Sequence, residues 1–123
     1  GVLLSDPAGR LIRFRIAEPA VDGLAELRTQ LLQNYPNPFN PETWIPYSIA
    51  KPARVRVTIY DAAATVVREV DLGVVDPGAY TSRRDALHWD GRNESGERVA
   101  SGVYFYRLDA GSHSEIRRLL VVK

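Results

Sequence analysis

Arg54-Val55-Arg56-Val57-Thr58-Ile59 repeats with a period of two. In an extended chain Val55, Val57 and Ile59 fall on one side, and Arg54, Arg56 and Thr58 on the other. That pattern belongs to a strand with one dry face and one wet face. Downstream, Asp61-Ala62-Ala63-Ala64 turns the chain into a second strand at 65–72, and Asp76-Pro77-Gly78 is a strong turn. A short strand is expected at 86–89, a tip rich in Gly, Asn and Ser at 90–102, an aromatic strand at 103–110 and a last strand at 115–122. Short strands separated by turns at about 8–12 residue spacing predict an all-β sandwich.

Upstream, Thr43-Trp44-Ile45-Pro46-Tyr47-Ser48-Ile49 also reads as a strand. Pro46 has no N–H to donate, which predicts an edge position or a bulge. In Asn34-Tyr35-Pro36-Asn37-Pro38-Phe39-Asn40-Pro41 the prolines exclude helix and force extended or turn geometry. Tyr35 and Phe39 are expected to pin this loop to the core. Before it, Asp22 is placed to cap a short helix carrying Leu24, Leu27 and Leu31, and a mobile linker is an equal reading. At the start, Asp6-Pro7-Ala8-Gly9 is a turn leading to a strand with Ile12, Phe14 and Ile16 on one face and Arg13 and Arg15 on the other. The organisation expected is an N-terminal hairpin plus linker or short helix over 1–30, and a sandwich over 31–123.

The chain has 123 residues, enough for one domain with a real core. It has no Cys, which excludes disulfides, thiolate metal sites and Cys nucleophiles, and only two His, which excludes a His-rich metal centre. Sixteen basic residues balance 15 acidic ones, for a net charge of +1. That balance gives no electrostatic reason to expect nucleic acid or anionic lipid as a partner. No apolar run approaches the ~20 residues of a membrane span. The sequence begins with Gly and contains no Met. It reads as a processed chain or a piece of a longer protein, with any export signal outside it.

Asp90-Gly91-Arg92-Asn93-Glu94-Ser95-Gly96-Glu97 gathers acids, an amide and glycines. A Ca²⁺ loop needs an oxygen ligand at its third position and Gly at its sixth, where Arg92 and Ser95 stand. The loop reads instead as a hairpin tip in which Asp90 and Asn93 bond backbone N–H groups and the glycines take positive φ. His88 and Trp89 point to opposite faces, so no His-based triad assembles there. Asp85, Asp90, Glu94 and Glu97 read as surface acids in turns. No catalytic residue, metal ligand set or cofactor site is expected.

At Leu31-Leu32-Gln33-Asn34-Tyr35-Pro36-Asn37-Pro38-Phe39-Asn40-Pro41 the sequence resembles the C-terminal secretion and sorting domains of type IX (Por) secretion substrates. It also resembles the related Ig-like domain of flagellar hook-capping proteins. Val57-Thr58-Ile59-Tyr60-Asp61 with Val66-Val67-Arg68 is similar to the family's hairpin, and His88-Trp89-Asp90-Gly91-Arg92-Asn93-Glu94-Ser95-Gly96 to its W-D-G loop. Ser101-Gly102-Val103-Tyr104-Phe105-Tyr106-Arg107-Leu108 is similar to its S-G-V-Y strand, and Arg118-Leu119-Leu120-Val121-Val122-Lys123 to its closing signature. The sequence departs from the family in two places. Ala64 stands where the family hairpin carries Gly, so the turn either avoids positive φ or bears the strain. Residues 81–86 lengthen the approach to Trp89.

The resemblance implies an all-β, immunoglobulin-like sandwich of about seven antiparallel strands, without catalytic activity or cofactor. It implies a sorting role: a larger exported protein passes through the periplasm and reaches the cell surface by a type IX-like system. Arg117, Arg118, Leu119, Leu120, Val121, Val122 and Lys123 would be the recognition element for an outer-membrane translocon or its shuttle. A sortase-like peptidase would cut in the linker 17–30. Asn34, Pro36, Asn37, Pro38, Phe39, Trp89, Asp90, Gly91, Gly96, Gly102 and Tyr104 would be the structural motif. No nucleic acid or small-molecule substrate is expected. Two rival readings are a structural accessory or assembly domain, and a carbohydrate-binding sandwich using Trp44, Tyr104 and Tyr106.

Overall fold

The computed structural model describes residues 27–123. The expected N-terminal hairpin and the short helix or linker lie outside those residues, apart from the last few positions before 31. The strands are β1 (Gln30–Leu31), β2 (Thr43–Ile45), β3 (Tyr47–Ile49), β4 (Ala53–Asp61), β5 (Val66–Val75), β6 (Gly78–Tyr80), β7 (Leu87–Trp89), β8 (Gly102–Ala110) and β9 (His113–Val121).

The alternation in β4 holds except at Thr58: Val55, Val57 and Ile59 are buried and Arg54 and Arg56 exposed, whereas Thr58, expected on the wet face, is buried in the middle of the sheet between Glu69 and Arg107. β4 sits in the middle of a four-stranded antiparallel sheet ordered β5-β4-β8-β9. On β8, Tyr104, Tyr106, Leu108 and Ala110 point to the same interior, and on β9 Leu119 and Val121 join them. A second layer supplies Leu31, Ile45, Tyr47, Ile49 and Trp89 to that single core. Two sheets burying their apolar faces against each other make the expected sandwich.

The second layer divides at Pro46. β2 pairs with β7 and β3 pairs with β6, so one line of chain runs antiparallel to another with a break in each. The break in the first is Pro46, and opposite it residues 81–86 loop out between β6 and β7. Pro46 N lies on the same edge as its carbonyl, toward β1, so the missing N–H leaves the Leu32 carbonyl to another donor, and the Tyr106 hydroxyl takes that place at 2.8 Å. On that same edge, Leu32 N–H donates to the Pro46 carbonyl at 3.0 Å, next to the β1–β3 pairing. The expectation of an edge position is corrected: the broken strand is the middle one of its layer. Joining β2 to β3 and β6 to β7 reduces the nine segments to seven strands.

Two other sequence readings change, and one open alternative is settled. The short strand β6 follows Asp76-Pro77 directly, where only a turn was expected. The boundary at residue 31 falls inside β1: Gln30 pairs with Ser48, and Thr29 Oγ1 accepts the Ala50 N–H at 3.0 Å. Ala64 adopts φ +66°, so the turn bears the strain rather than avoiding it. Asp61 Oδ1 holds that turn by accepting the N–H groups of Ala63 and Thr65, both at 2.9 Å.

Candidate functional site

The loop at 34–39 is anchored from below by Tyr106. Its buried hydroxyl accepts the Asn34 N–H and donates to the Leu32 carbonyl, each at 2.8 Å. The Asn34 side chain is buried too, and its Nδ2 donates to Thr43 Oγ1 at 3.0 Å. Thr43 Oγ1 donates in turn to the Pro36 carbonyl at 3.0 Å. Each polar group taken from water here finds a partner, which makes such a burial tolerable. Burial pushes the Tyr106 phenol up to about 12, against the lowering effect of the Asn34 amide and Arg117.

From this anchor the loop runs onto the outer edge of β9. Asn37 Oδ1 accepts the Leu120 N–H at 2.9 Å. Phe39 N–H donates to the Leu120 carbonyl at 3.1 Å, and Val122 N–H donates to the Phe39 carbonyl at 3.0 Å. Gln33 Nε2 donates to the Arg118 carbonyl at 3.0 Å. Phe39 and Val121 thus form a parallel bridge, and the Phe39 ring enters the core. Tyr35 does not follow it: it lies on the outer face against Trp44, with centroids 6.4 Å apart, and donates its hydroxyl to the Thr81 carbonyl. That corrects the expectation that both rings plug the core. The chain alternates sides, and Tyr35 falls on the bridge to Trp44, whose side chain faces outward.

The W-D-G loop packs on the same corner. Trp89 is buried between Phe39, at 5.4 Å, and Tyr104, at 6.2 Å. Its Nε1–H donates to the Arg92 carbonyl at 2.9 Å. Asp90 Oδ1 accepts the Arg92 N–H, and Asn93 Oδ1 accepts those of Ser95 and Glu97. Gly91 and Gly96 have φ of +75° and +84°, so the hairpin-tip reading holds. A Cβ at Gly91 would stand 3.0 Å from the Pro41 carbonyl oxygen, so glycine there lets the two loops touch. Gly102 begins β8 at φ +149°. The far end of the tip reaches the opposite edge of the large sheet. Glu94 N–H donates to the Val67 carbonyl at 3.0 Å, and Glu94 Oε2 accepts the Glu69 N–H at 2.9 Å. Both edge strands of the four-stranded sheet, β5 and β9, are thereby partly capped by loops of this chain.

The closing segment 117–123 divides by alternation. Leu119 and Val121 are buried, whereas Arg118, Leu120, Val122 and Lys123 are exposed. The apolar quartet at 119–122 is therefore not a fully buried strand. Arg117 Nε donates to the Leu31 carbonyl at 2.7 Å, and Glu115 Oε1 accepts the Leu31 N–H at 2.9 Å. These two side chains tie β9 to β1. Burial raises the Glu115 pKa, but the Leu31 amide, His113 and Arg117 outweigh it and leave it below its ordinary value. Sequence reasoning missed Gln33, Glu94, Tyr106 and Glu115 as fasteners. Their partners lie 25 to 85 residues away, so no local pattern marks them.

The remaining candidates disperse. Tyr104 and Tyr106 are core, so they form no platform with Trp44, and Arg83 covers the Trp44 ring at 4.3 Å. His88 is exposed, meets Glu42 at 2.6 Å and packs its ring 5.2 Å from that of Trp44. Among the described residues, no group of three His, Cys, Asp or Glu side chains is arranged to hold a metal ion.

Two solved structures share the architecture, and a third aligns more loosely. Dimeric latent PorU from Porphyromonas gingivalis aligns with a TM-score of 0.56 at 19% identity, over 76% of this chain and 9% of that one. PorZ, an essential bacterial surface component of the type-IX secretion system of the same organism, aligns at 0.50 and 21%, over 85% of this chain and 12% of that one. FlgD from P. aeruginosa aligns at 0.45 and 24%, over 59% and 54%. The chain thus spans about a tenth of the first two proteins, and at these identities the likeness shows the fold. No curated protein matches the chain. The family model of the FlgD Ig-like domain matches residues 43–114, from β2 to the start of β9. That match covers more than half of the chain, which therefore belongs to the FlgD Ig-like domain family.

Proposed function

We propose that this is a non-catalytic C-terminal sorting domain. It directs a larger exported protein through the periplasm and across the outer membrane to the cell surface by a type IX-like system. The observation that carries the reading is a convergence. The 34–39 loop and the 117–123 segment lie at opposite ends of the domain sequence and form one continuous surface. The 117–123 segment is the recognition element, and an outer-membrane translocon or shuttle protein is its reader. A sortase-like peptidase acts ahead of residue 28, because Arg28, Thr29 and Gln30 are hydrogen-bonded to the sandwich. A secreted reporter fused ahead of the full chain is expected at the surface of a host with this machinery. Retention of that fusion in the periplasm contradicts the reading. Deleting 119–123 should also trap it, but that deletion removes Leu119 and Val121 from the core, so it tests folding as well.

A structural accessory or assembly role is the second reading. The family match favours it, because 43–114 holds most of the sandwich but neither the 34–39 loop nor the end of β9. Surface display of the reporter separates the two.

A further inference from the structure

The edge of β9 is a poor place to add a strand. Within 118–122 the outward backbone groups of Leu120, the Arg118 carbonyl and the Val122 N–H are already bonded to Gln33, Asn37 and Phe39. An incoming strand would have to displace a loop anchored at Asn34 by Tyr106. The outer face of the same sheet is different. There Val103 pairs with Leu120, Phe105 with Arg118, and Arg107 with Ile116, while Tyr60 lies beside Phe105. Val103, Leu120 and Ile116 are 37%, 39% and 56% exposed, and with half-buried Phe105 between them they form an apolar strip that Arg118 interrupts. Arg107 is paired with Asp109 at 3.0 Å, whereas among the described residues no carboxylate lies within ion-pair distance of Arg118.

Resting on the sorting reading, we propose that the outer face of β8 and β9 is the docking surface. Its occupant is a protein surface carrying aliphatic or aromatic side chains bordered by carboxylates. The apolar strip supplies the area, and Arg118 supplies the unbalanced charge that selects an acidic rim. A second copy of this chain fits poorly, because the carboxylates bordering this face, Asp109, Glu69 and Asp71, are already held by Arg107, Arg56 and Arg54 and offer Arg118 no partner. Docking on the face leaves every edge hydrogen bond in place, so the domain is read in its folded form.

Three reporter fusions to the full chain test this in a type IX host: the parent, the double variant Ile116→Glu/Arg118→Glu, and Arg84→Glu. Both face substitutions sit at exposed positions, and thermal unfolding of the purified chains checks that the fold is kept. The face variant is expected to lose surface display by roughly tenfold or more, with a near-parental melting temperature. Arg84→Glu, an exposed charge reversal in the 81–86 excursion off this face, is expected to stay within about twofold of the parent, and an equal loss there overturns the docking face. Parental display of the face variant overturns the docking face and leaves the sorting reading standing. Failure of the parent fusion itself contradicts the sorting reading and takes this proposal with it. Sedimentation of the full chain is expected to find a monomer. A dimer that the face variant dissociates overturns the proposed occupant.

Discussion

Asn37 holds Leu120: its side-chain oxygen accepts the Leu120 N–H at 2.9 Å, across 83 residues of sequence. The same Leu120 gives its carbonyl to Phe39. One loop residue thus imitates the backbone of an absent neighbouring strand, and another provides real backbone. Asn37→Ala should cost about 1 kcal/mol. Hydrogen exchange should locate the loss, with the Leu120 amide roughly fivefold less protected and the β4 amides unchanged.

Tyr106 carries more. Removing its hydroxyl leaves the Asn34 N–H and the Leu32 carbonyl without that partner in a buried site. Tyr106→Phe should therefore destabilise the chain by about 1–3 kcal/mol in urea unfolding. It should loosen the 34–39 loop and the Leu120 amide together. Unchanged stability would mean that water replaces the hydroxyl without cost.

Three small residues in turns should respond differently. Gly96→Ala meets open space and bears only the left-handed backbone, about 1–2 kcal/mol. Gly91→Ala adds a contact at 3.0 Å with the Pro41 carbonyl, so about 3 kcal/mol or more is expected. Ala64→Gly goes the other way. It relieves about 1–2 kcal/mol of strain at φ +66° and gives back about 0.4–1 in unfolded-state entropy. A small net gain in melting temperature is expected.

The pH limits follow from two groups of opposite sense. Burial pushes both Tyr47 and Tyr106 up to about 12, with Tyr80 and Asp85 adding to the effect at Tyr47. A raised pKa means stability that is complete below the ordinary tyrosine value of about 10 and is lost as pH climbs toward 12. In a 295 nm titration these two should ionise last, together with unfolding. Glu115 is lowered, so its contribution is complete above its ordinary value and is lost as pH falls through the folded one. Glu115→Gln should flatten that acid limb of the stability curve.

The large sheet was legible in the sequence because its rules are local. The alternation at 54–59 and 103–110, and the turns at 61–64 and 111–112, set four strands and their inward faces. The second layer was less so. Pro46 argues for an edge until the Leu32 carbonyl facing its missing N–H is known to take the Tyr106 hydroxyl instead, and nothing near Pro46 reports that. The quartet Leu119-Leu120-Val121-Val122 reads as uniformly apolar, and only pairing with β8 tells which two residues face water. The family motifs placed Asn34, Phe39, Trp89 and Gly91 in the sequence without saying that they meet. Their meeting depends on Tyr106 and on the Gly91–Pro41 approach, both long-range.

The central claim is that this domain is an address. Its most direct test is the protease-accessible fraction of a secreted reporter carrying the full chain at its C-terminus. It is measured in a type IX host and in the same host with the outer-membrane translocon disabled. The account predicts a reporter exposed at the surface in the first and held in the periplasm in the second. A reporter distributed the same way in both hosts would contradict it.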